Sequence, residues 1–328
     1  MGRAWADNLT KNAEVNLIAW VDVFPGAAAK AAEEKGFSLE YTGVDLTTAI
    51  REVNPDFVVD VSSPQGHHSV TTTALGLGIP VIGEKPMAES MAQALDMVRA
   101  SEKAGKLYMV SQSRRYDPGI VAYRQVIRDR IGQLGILNAD FYIGAHFGGF
   151  RDEMDSPLIL DMAIHTFDEA RYLSGKNAVA VYADEFNPTW SWYKGSSCAT
   201  ALFEMEDGIR FTYRGSWSAE GLDTSWDADW RAVGSEGSAK WEAGLDPFAD
   251  IVRSTSGFRS EFNREVFPKV EVLPGIQGSL AEFLTALKTG TTPQAECHDN
   301  LHSLAMVFAT IESAKRKERV TISEILAG

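Results

Sequence analysis

The sequence predicts an α/β protein of two domains: a parallel sheet flanked by helices, then an α+β domain with a large, mostly antiparallel open sheet. Three observations predict it. Short apolar runs alternate with helix-forming stretches about five times over roughly the first 110 residues, the pattern of a parallel sheet with helices on both faces. The second half turns to longer segments with period-two alternation separated by turn residues, which is antiparallel patterning. The length of 328 residues exceeds one ordinary core and suits two domains of about 100–200 residues each.

The elements of the first half follow in order. Asn16–Val23 reads as a strand. Gly26–Lys35 holds strong helix formers, and Gly36 stands where a helix stop belongs. Asp45–Val53 reads as a short helix, and Asp56–Val61 as a buried parallel strand because it is almost continuously apolar. His68–Leu77 reads as helix and Ile79–Gly83 as strand. Ser90–Ala104 is amphipathic with Ser90 as its cap, and Lys106–Val110 is a further strand. In the second half, Gly135–Gly144, Ala178–Phe186, Ala199–Glu204, Ile209–Trp217 and Trp230–Val233 read as strands. Long helices are expected over Leu158–Leu173 and as a pair from about Ser279 to Lys317. The boundary is placed at Asp117-Pro118-Gly119, giving domains of residues 1–118 and 119–328.

Charge and cysteine content exclude several function classes. Lys and Arg number 31 against 45 Asp and Glu, a net charge of −14. Such a surface repels nucleic acid and anionic lipid. The basic run Lys315-Arg316-Lys317 with Arg319 reads as the last turn of a helix, where cations suit the dipole. Cys198 and Cys297 lie far apart in no metal-ligand spacing, which fits a reducing compartment. No long apolar run or leader pattern is present. The expectation is a cytoplasmic protein that binds neither nucleic acid nor membrane.

The residues that could carry chemistry are few. A dinucleotide site wants a strand, G-x-G-x-x-G, a helix, and an acid about 20 residues further on. The chain opens Met1-Gly2-Arg3-Ala4-Trp5-Ala6 straight into a helix, and Asp22 ends the next strand. Gly2 fits the last glycine of that fingerprint, the one that allows close packing of helix on strand. On this reading the first strand and the two earlier glycines are missing from the sequence as given, and a start assigned too late is the economical account. Asp22 would accept from a ribose hydroxyl and repel a 2′-phosphate, which favours NAD over NADP. In Gly83-Glu84-Lys85-Pro86-Met87 a strand runs into a lysine able to exchange a proton or polarise a substrate oxygen. Asp161, His165 and Asp168 recur at i, i+4 and i+7, so a single helix would put them on one face. A neutral imidazole there can take the proton of a secondary alcohol. The alternative is a solvated polar stripe. No third ligand joins Asp161 and His165, so no metal is expected. Trp190, Trp192, Tyr193, Trp217, Trp226 and Trp230 crowd the second half; a sheet face buried between subunits is favoured over a sugar-stacking platform. His146 near Arg151 is a weak signal on its own.

These features together resemble the glucose–fructose oxidoreductase / inositol dehydrogenase (Gfo/Idh/MocA) family over nearly the whole chain. The resemblance rests on Val21-Asp22, Ser62-Ser63-Pro64 with His67-His68, Glu84-Lys85-Pro86, Gln112 to Pro118, Asp161-x-x-x-His165-x-x-Asp168, Gly234-x-x-Gly237-x-x-x-Trp241 and Asp299-Asn300. It implies a Rossmann-type N-terminal domain and a C-terminal α+β domain whose sheet forms homodimers or homotetramers. It implies an NAD-dependent oxidoreductase acting on a sugar, inositol or related polyol, with Lys85 and His165 the catalytic pair and Asp161 orienting His165 or holding substrate. Arg115, Tyr116 and Asp168 would lie near substrate. Gly2, Asp22, Ser62, Pro64, His67, Glu84, Lys85 and Gln112 would line the cofactor groove, although local spacing does not separate His67 from His68 in that role. The family's glycine-rich approach to the catalytic helix is here Ser156-Pro157-Leu158, which reshapes the expected substrate pocket. The rival expectation is a non-catalytic binding or structural protein that keeps the fold but cannot hold dinucleotide.

Overall fold

The computed structural model describes every residue except Ala243. The chain forms two compact units, residues 1–111 with 276–301, and residues 112–275 with 302–328. The first crossing falls a few residues before the expected boundary. The return of residues 276–301 to the first unit was not expected from the sequence.

The first unit opens with α1 (Gly2–Lys11) and alternates β1 (Ala19–Val21), α2 (Ala27–Lys35), β2 (Tyr41–Gly43), α3 (Leu46–Val53), β3 (Val58–Asp60), α4 (Pro64–Gly76), β4 (Val81–Gly83), α5 (Met91–Ala104) and β5 (Tyr108–Val110). All strand pairs are parallel. They form two sheets, β1-β2 and β3-β4-β5. Local chemistry sets the helix ends. Gly36 closes α2 in the left-handed region at φ 69°, and the Ser90 hydroxyl accepts the Gln93 amide to start α5. Asp45 caps α3 by accepting the Thr48 amide at 2.6 Å. β2 was missed by the sequence reading, and α4 begins four residues before expected.

The second unit continues with α6 (Pro118–Asp129), β6 (Leu134–Tyr142), α7 (Ile164–Ser174), β7 (Ala178–Phe186), β8 (Cys198–Met205), β9 (Arg210–Ser216), β10 (Asp229–Gly234), β11 (Gly237–Glu242), β12 (Phe248–Ser254) and β13 (Glu261–Val266). Then come α8 (Gly275–Thr289), α9 (Cys297–Arg316), β14 (Val320–Thr321) and α10 (Ile322–Leu326). α8 belongs to the first unit: Phe283 meets Phe57 edge-on at 5.4 Å, and the Val110 amide donates to Ala295. The expected open sheet is there, nine strands in the order β13-β12-β11-β10-β6-β9-β8-β7-β14. Among the described residues, only β6 and β9 pair in parallel within this sheet.

One face of that sheet is the core of the second unit. Phe167 of α7 packs edge-on against Phe203 at 4.9 Å and Tyr213 at 5.3 Å. Phe211 stacks on Phe203 and on Trp230. Burying such aromatics stabilises by a few kcal/mol each (~25 cal/mol per Å² of apolar area). α6 lies close to β11 because Gly119 has no Cβ; one would meet the Trp241 ring at 2.7 Å. The tryptophan expectation changes here. Trp217 and Trp230 are fully buried in the chain's own core, so they are not available as an intersubunit surface.

Candidate active-site residues

In the first unit, the predicted residues gather at the carboxyl ends of the parallel strands, where ligands bind in such sheets. Asp60 ends β3, is 1% exposed, and organises the turn that follows. One of its oxygens accepts from the Ser62 hydroxyl at 2.6 Å and lies 3.1 Å from His67 Nδ1. The other accepts from Thr71 at 2.9 Å. His67 is therefore the histidine of this group. His68 points to Asp96 on α5, at 2.8 Å. Pro64 is the first residue of α4, suited to a position whose amide needs no partner. Gly66 completes the turn, since a Cβ there would meet Ser62 Cβ and Oγ at 2.9 Å.

Glu84, at the end of β4, is buried and accepts from Trp5 Nε1 at 2.6 Å. Its other oxygen accepts the Lys85 amide at 3.2 Å. Lys85 is half-buried, and its bond to Pro86 is cis. Asp22 directly follows β1. Its Oδ1 accepts the Phe24 amide at 2.9 Å, which sets the carboxylate's orientation. A Cβ at Gly2 would meet the Trp20 ring at 3.9 Å.

The second unit presents the other group. Residues Leu158–Ala163 form a π-helical turn that passes into α7 at Ile164. The single α-helix expected over this stretch is thus replaced by a π-to-α junction, with Asp161 in the wide turn and His165 at the start of α7. Such turns recur at functional sites because they re-aim side chains. From Ile164 to Leu173 every residue of α7 is buried except His165. Asp161 is also part-exposed, and its Oδ2 accepts from Arg151 Nε at 2.6 Å.

Asp168 does not share that exposure. It is 2% exposed and Arg115 is 4%. Arg115 holds it with two parallel bonds, Nε to Oδ2 at 2.7 Å and Nη2 to Oδ1 at 2.6 Å. Ser303 donates to the same Oδ1 at 2.6 Å. This geometry gives both residues a packing role. Tyr116 is 9% exposed. Gln112 is buried and falls in the second unit, its Nε2 lacking a partner among the described residues.

Among the described residues, Glu296, Cys297 and His298 bring metal-type donors within 4.8 Å of one another. Glu296 there accepts the His298 amide at the start of α9, where the helix dipole disfavours a cation.

Comparison with known families bears on both units. Residues 1–112 match the oxidoreductase family with an NAD-binding Rossmann fold, GFO_IDH_MocA, and residues 120–240 match a GFO/IDH/MocA C-terminal domain. The chain belongs to the Gfo/Idh/MocA family. Membership bears out the expected oxidoreductase class and a nicotinamide cofactor, and it does not favour the non-catalytic alternative. The chain is 25% identical to an inositol 2-dehydrogenase of Rhizobium meliloti, over 98% of this chain and 96% of that protein. It is 25% identical to a D-apiose dehydrogenase of Paraburkholderia graminis, over 90% of this chain and 80% of that protein. It shares the fold of an oxidoreductase from Agrobacterium radiobacter solved with NAD+, L-tartaric acid and magnesium, with a TM-score of 0.87 at 22% identity over 99% and 96% of the two chains.

For this Gfo/Idh/MocA protein, the residues present fit the nicotinamide cofactor. Asp22, the Ser62–Pro64–His67 turn and Glu84–Lys85 all lie at strand carboxyl ends, and Gly66 keeps the α4 start clear of bulk. Sequence reasoning missed Asp60, Trp5 and Arg151. Asp60 had one available signal, a charge inside an apolar run. Among the described residues, no helix is long and apolar enough to cross a membrane.

Proposed function

We propose that the protein is an NAD-dependent dehydrogenase acting on a secondary alcohol of a sugar, inositol or related polyol. The observation that carries this reading is the start of α7, where every residue from Ile164 to Leu173 is buried except His165, which is part-exposed and follows the part-exposed carboxylate Asp161 by four residues. A titratable ring left partly open on an otherwise buried stretch suits proton transfer better than packing. The relatives named as inositol and D-apiose dehydrogenases support the substrate class.

A bound nicotinamide supplies the acceptor for the hydride. His165 would take the hydroxyl proton of the substrate, and Lys85 would polarise the alcohol oxygen. Asp161 fixes the imidazole or receives a neighbouring hydroxyl. Ser62, Pro64, His67 and Glu84 would line the cofactor's place, with Asp22 on the ribose hydroxyls. A carboxylate at Asp22 supports NAD over NADP because it repels a 2′-phosphate.

A homodimer or homotetramer through the open sheet accompanies this reading. On the face away from α7, Tyr182 and Leu202 are cross-strand partners 53% and 46% exposed. Apolar side chains side by side on an uncovered sheet favour a second copy.

The test is calorimetry with NAD and NADP, followed by NADH formation across a panel of inositols, sugars and acyclic polyols. NAD binds more tightly, at least one cyclic or sugar polyol is oxidised, and His165→Asn abolishes turnover while retaining NAD. Binding of neither cofactor would overturn the reading.

A further inference from the structure

We propose that Arg151 is a positioning residue for Asp161, packed against two aromatic rings so that the carboxylate stays ionised and aimed. The inference rests on the dehydrogenase reading above and concerns how its carboxylate is held.

The geometry begins with the loop that follows β6. Gly148 and Gly149 both take left-handed backbone angles, φ 69° and 68°. A Cβ on either would meet nothing within 4 Å, so glycine is needed there for conformation and not for space. Two such residues in succession reverse the chain between Phe147 and Phe150. Both rings consequently reach the same guanidinium. Arg151 Cζ lies 5.0 Å from the Phe147 ring centre and 4.7 Å from that of Phe150. Phe147 is itself anchored, 5.2 Å from Trp217 and 6.1 Å from Trp226, and Trp217 is 1% exposed.

An arginine packed against two rings loses less freedom when it binds, and each cation–π contact adds to its hold. Its Nε then donates to Asp161 Oδ2 at 2.6 Å, with side chains 33% and 18% exposed. An ordinary surface ion pair contributes little, because long side chains must be immobilised in water. Here the immobilisation is already made by the rings. Besides Arg151, the charged and titratable groups around Asp161 include Asp152 on the same loop and Tyr193 on the loop before β8, whose ionisation is raised chiefly by burial and also responds to Asp152, Arg151 and Asp161; His165 follows four residues along the chain. Arg151 is the cation among them that a loop, and not the helix, brings to Asp161.

The experiment compares Arg151→Ala, Arg151→Lys and Gly149→Ala with the parent chain. With a polyol the parent oxidises, Arg151→Ala lowers kcat on the order of 10²-fold with a smaller change in KM. It also moves the acidic limb of the pH profile up by about one unit. Guanidinium ion added to Arg151→Ala restores part of kcat and restores nothing to Asp161→Ala. Arg151→Lys and Gly149→Ala fall between. A second readout does not need turnover: carboxyl carbon NMR, assigned with Asp161→Asn, shows the Asp161 midpoint rising in Arg151→Ala. An unchanged midpoint, or a loss of kcat with lowered Tm and no rescue, overturns the proposal. If the parent oxidises no polyol, the dehydrogenase reading fails while the NMR midpoint still decides whether Arg151 holds Asp161.

Discussion

Arg115 and Asp168 form a two-bond ion pair out of water, 53 residues apart in sequence, with Ser303 closing on the same carboxylate. Removing one partner strands the other's charge in a low-dielectric interior. Arg115→Ala or Asp168→Ala is therefore expected to cost about 3–5 kcal/mol of stability, read from urea midpoints. If Asp168 served substrate instead, its replacement would raise KM and leave the midpoint alone.

Trp5 and Glu84 give a second, smaller case. Trp5→Phe keeps the ring's bulk and deletes the indole donor 2.6 Å from Glu84. A lost hydrogen bond to a charged, buried group costs roughly 1.5–3 kcal/mol. Because Glu84 also receives the Lys85 amide, NAD affinity should fall in the same variant, as calorimetry would register.

Two glycines of α4, one in its first turn and one at its end, should behave oppositely. Gly66→Ala drives a Cβ against Ser62 at 2.9 Å, an overpacking worth about 1–3 kcal/mol, and weakens NAD binding. Gly76→Ala meets nothing within 4 Å and is expected to be neutral or to stabilise by up to ~1 kcal/mol. Equal behaviour of the two would show that the Ser62 turn tolerates movement.

Glu169 sets a pH dependence. It is fully buried, with neither oxygen hydrogen-bonded among the described residues. Burial pushes its carboxyl well above the ordinary value of 4.5; Asp227, Asp168 and Asp117 push the same way, and Arg114 opposes them. The folded chain keeps this proton at pH values where the unfolded chain has released it. Stability is thus fully present below about pH 4.5 and is lost as pH rises toward the folded pKa. Glu185, raised by burial to about 7, adds a loss of the same sign between 4.5 and 7. Glu169→Gln should flatten the fall in urea midpoint between about pH 5 and 8; an unchanged slope would remove Glu169 from the account.

What could be read in the sequence was what is decided locally. Gly36 and Ser90 mark helix ends because a left-handed residue or a capping hydroxyl acts on its own neighbours. The same holds for the strand ending at Glu84-Lys85-Pro86. β2, Tyr41-Thr42-Gly43, is as short as its neighbours but lacks the apolar run that marked them. β11 and β12 escaped because small residues such as Ala239 and Ala249 supply much of their buried side, and β13 because it presents no buried face at all. α6 was hidden by Asp117-Pro118, a pair that reads as a break and is in fact the cap and first residue of a helix. Arg151 and Asp60 act through space on partners that the loop and the turn bring to them. No pattern of residue types encodes such a meeting.

The parallel strands of the first unit fall into two sheets, β1-β2 and β3-β4-β5, in which β1 bonds only to β2 and β3 only to β4. Each of those strands has one side outside any ladder, and each is only three residues long. Amide protons on such short, one-sided strands exchange through brief local openings, whereas those in the middle of the nine-strand sheet need wholesale unfolding. The cofactor-binding half is therefore the softer half. Deuterium should enter β1 and β3 long before β6, β8 and β9, and bound NAD should slow that entry most at the strand ends it touches.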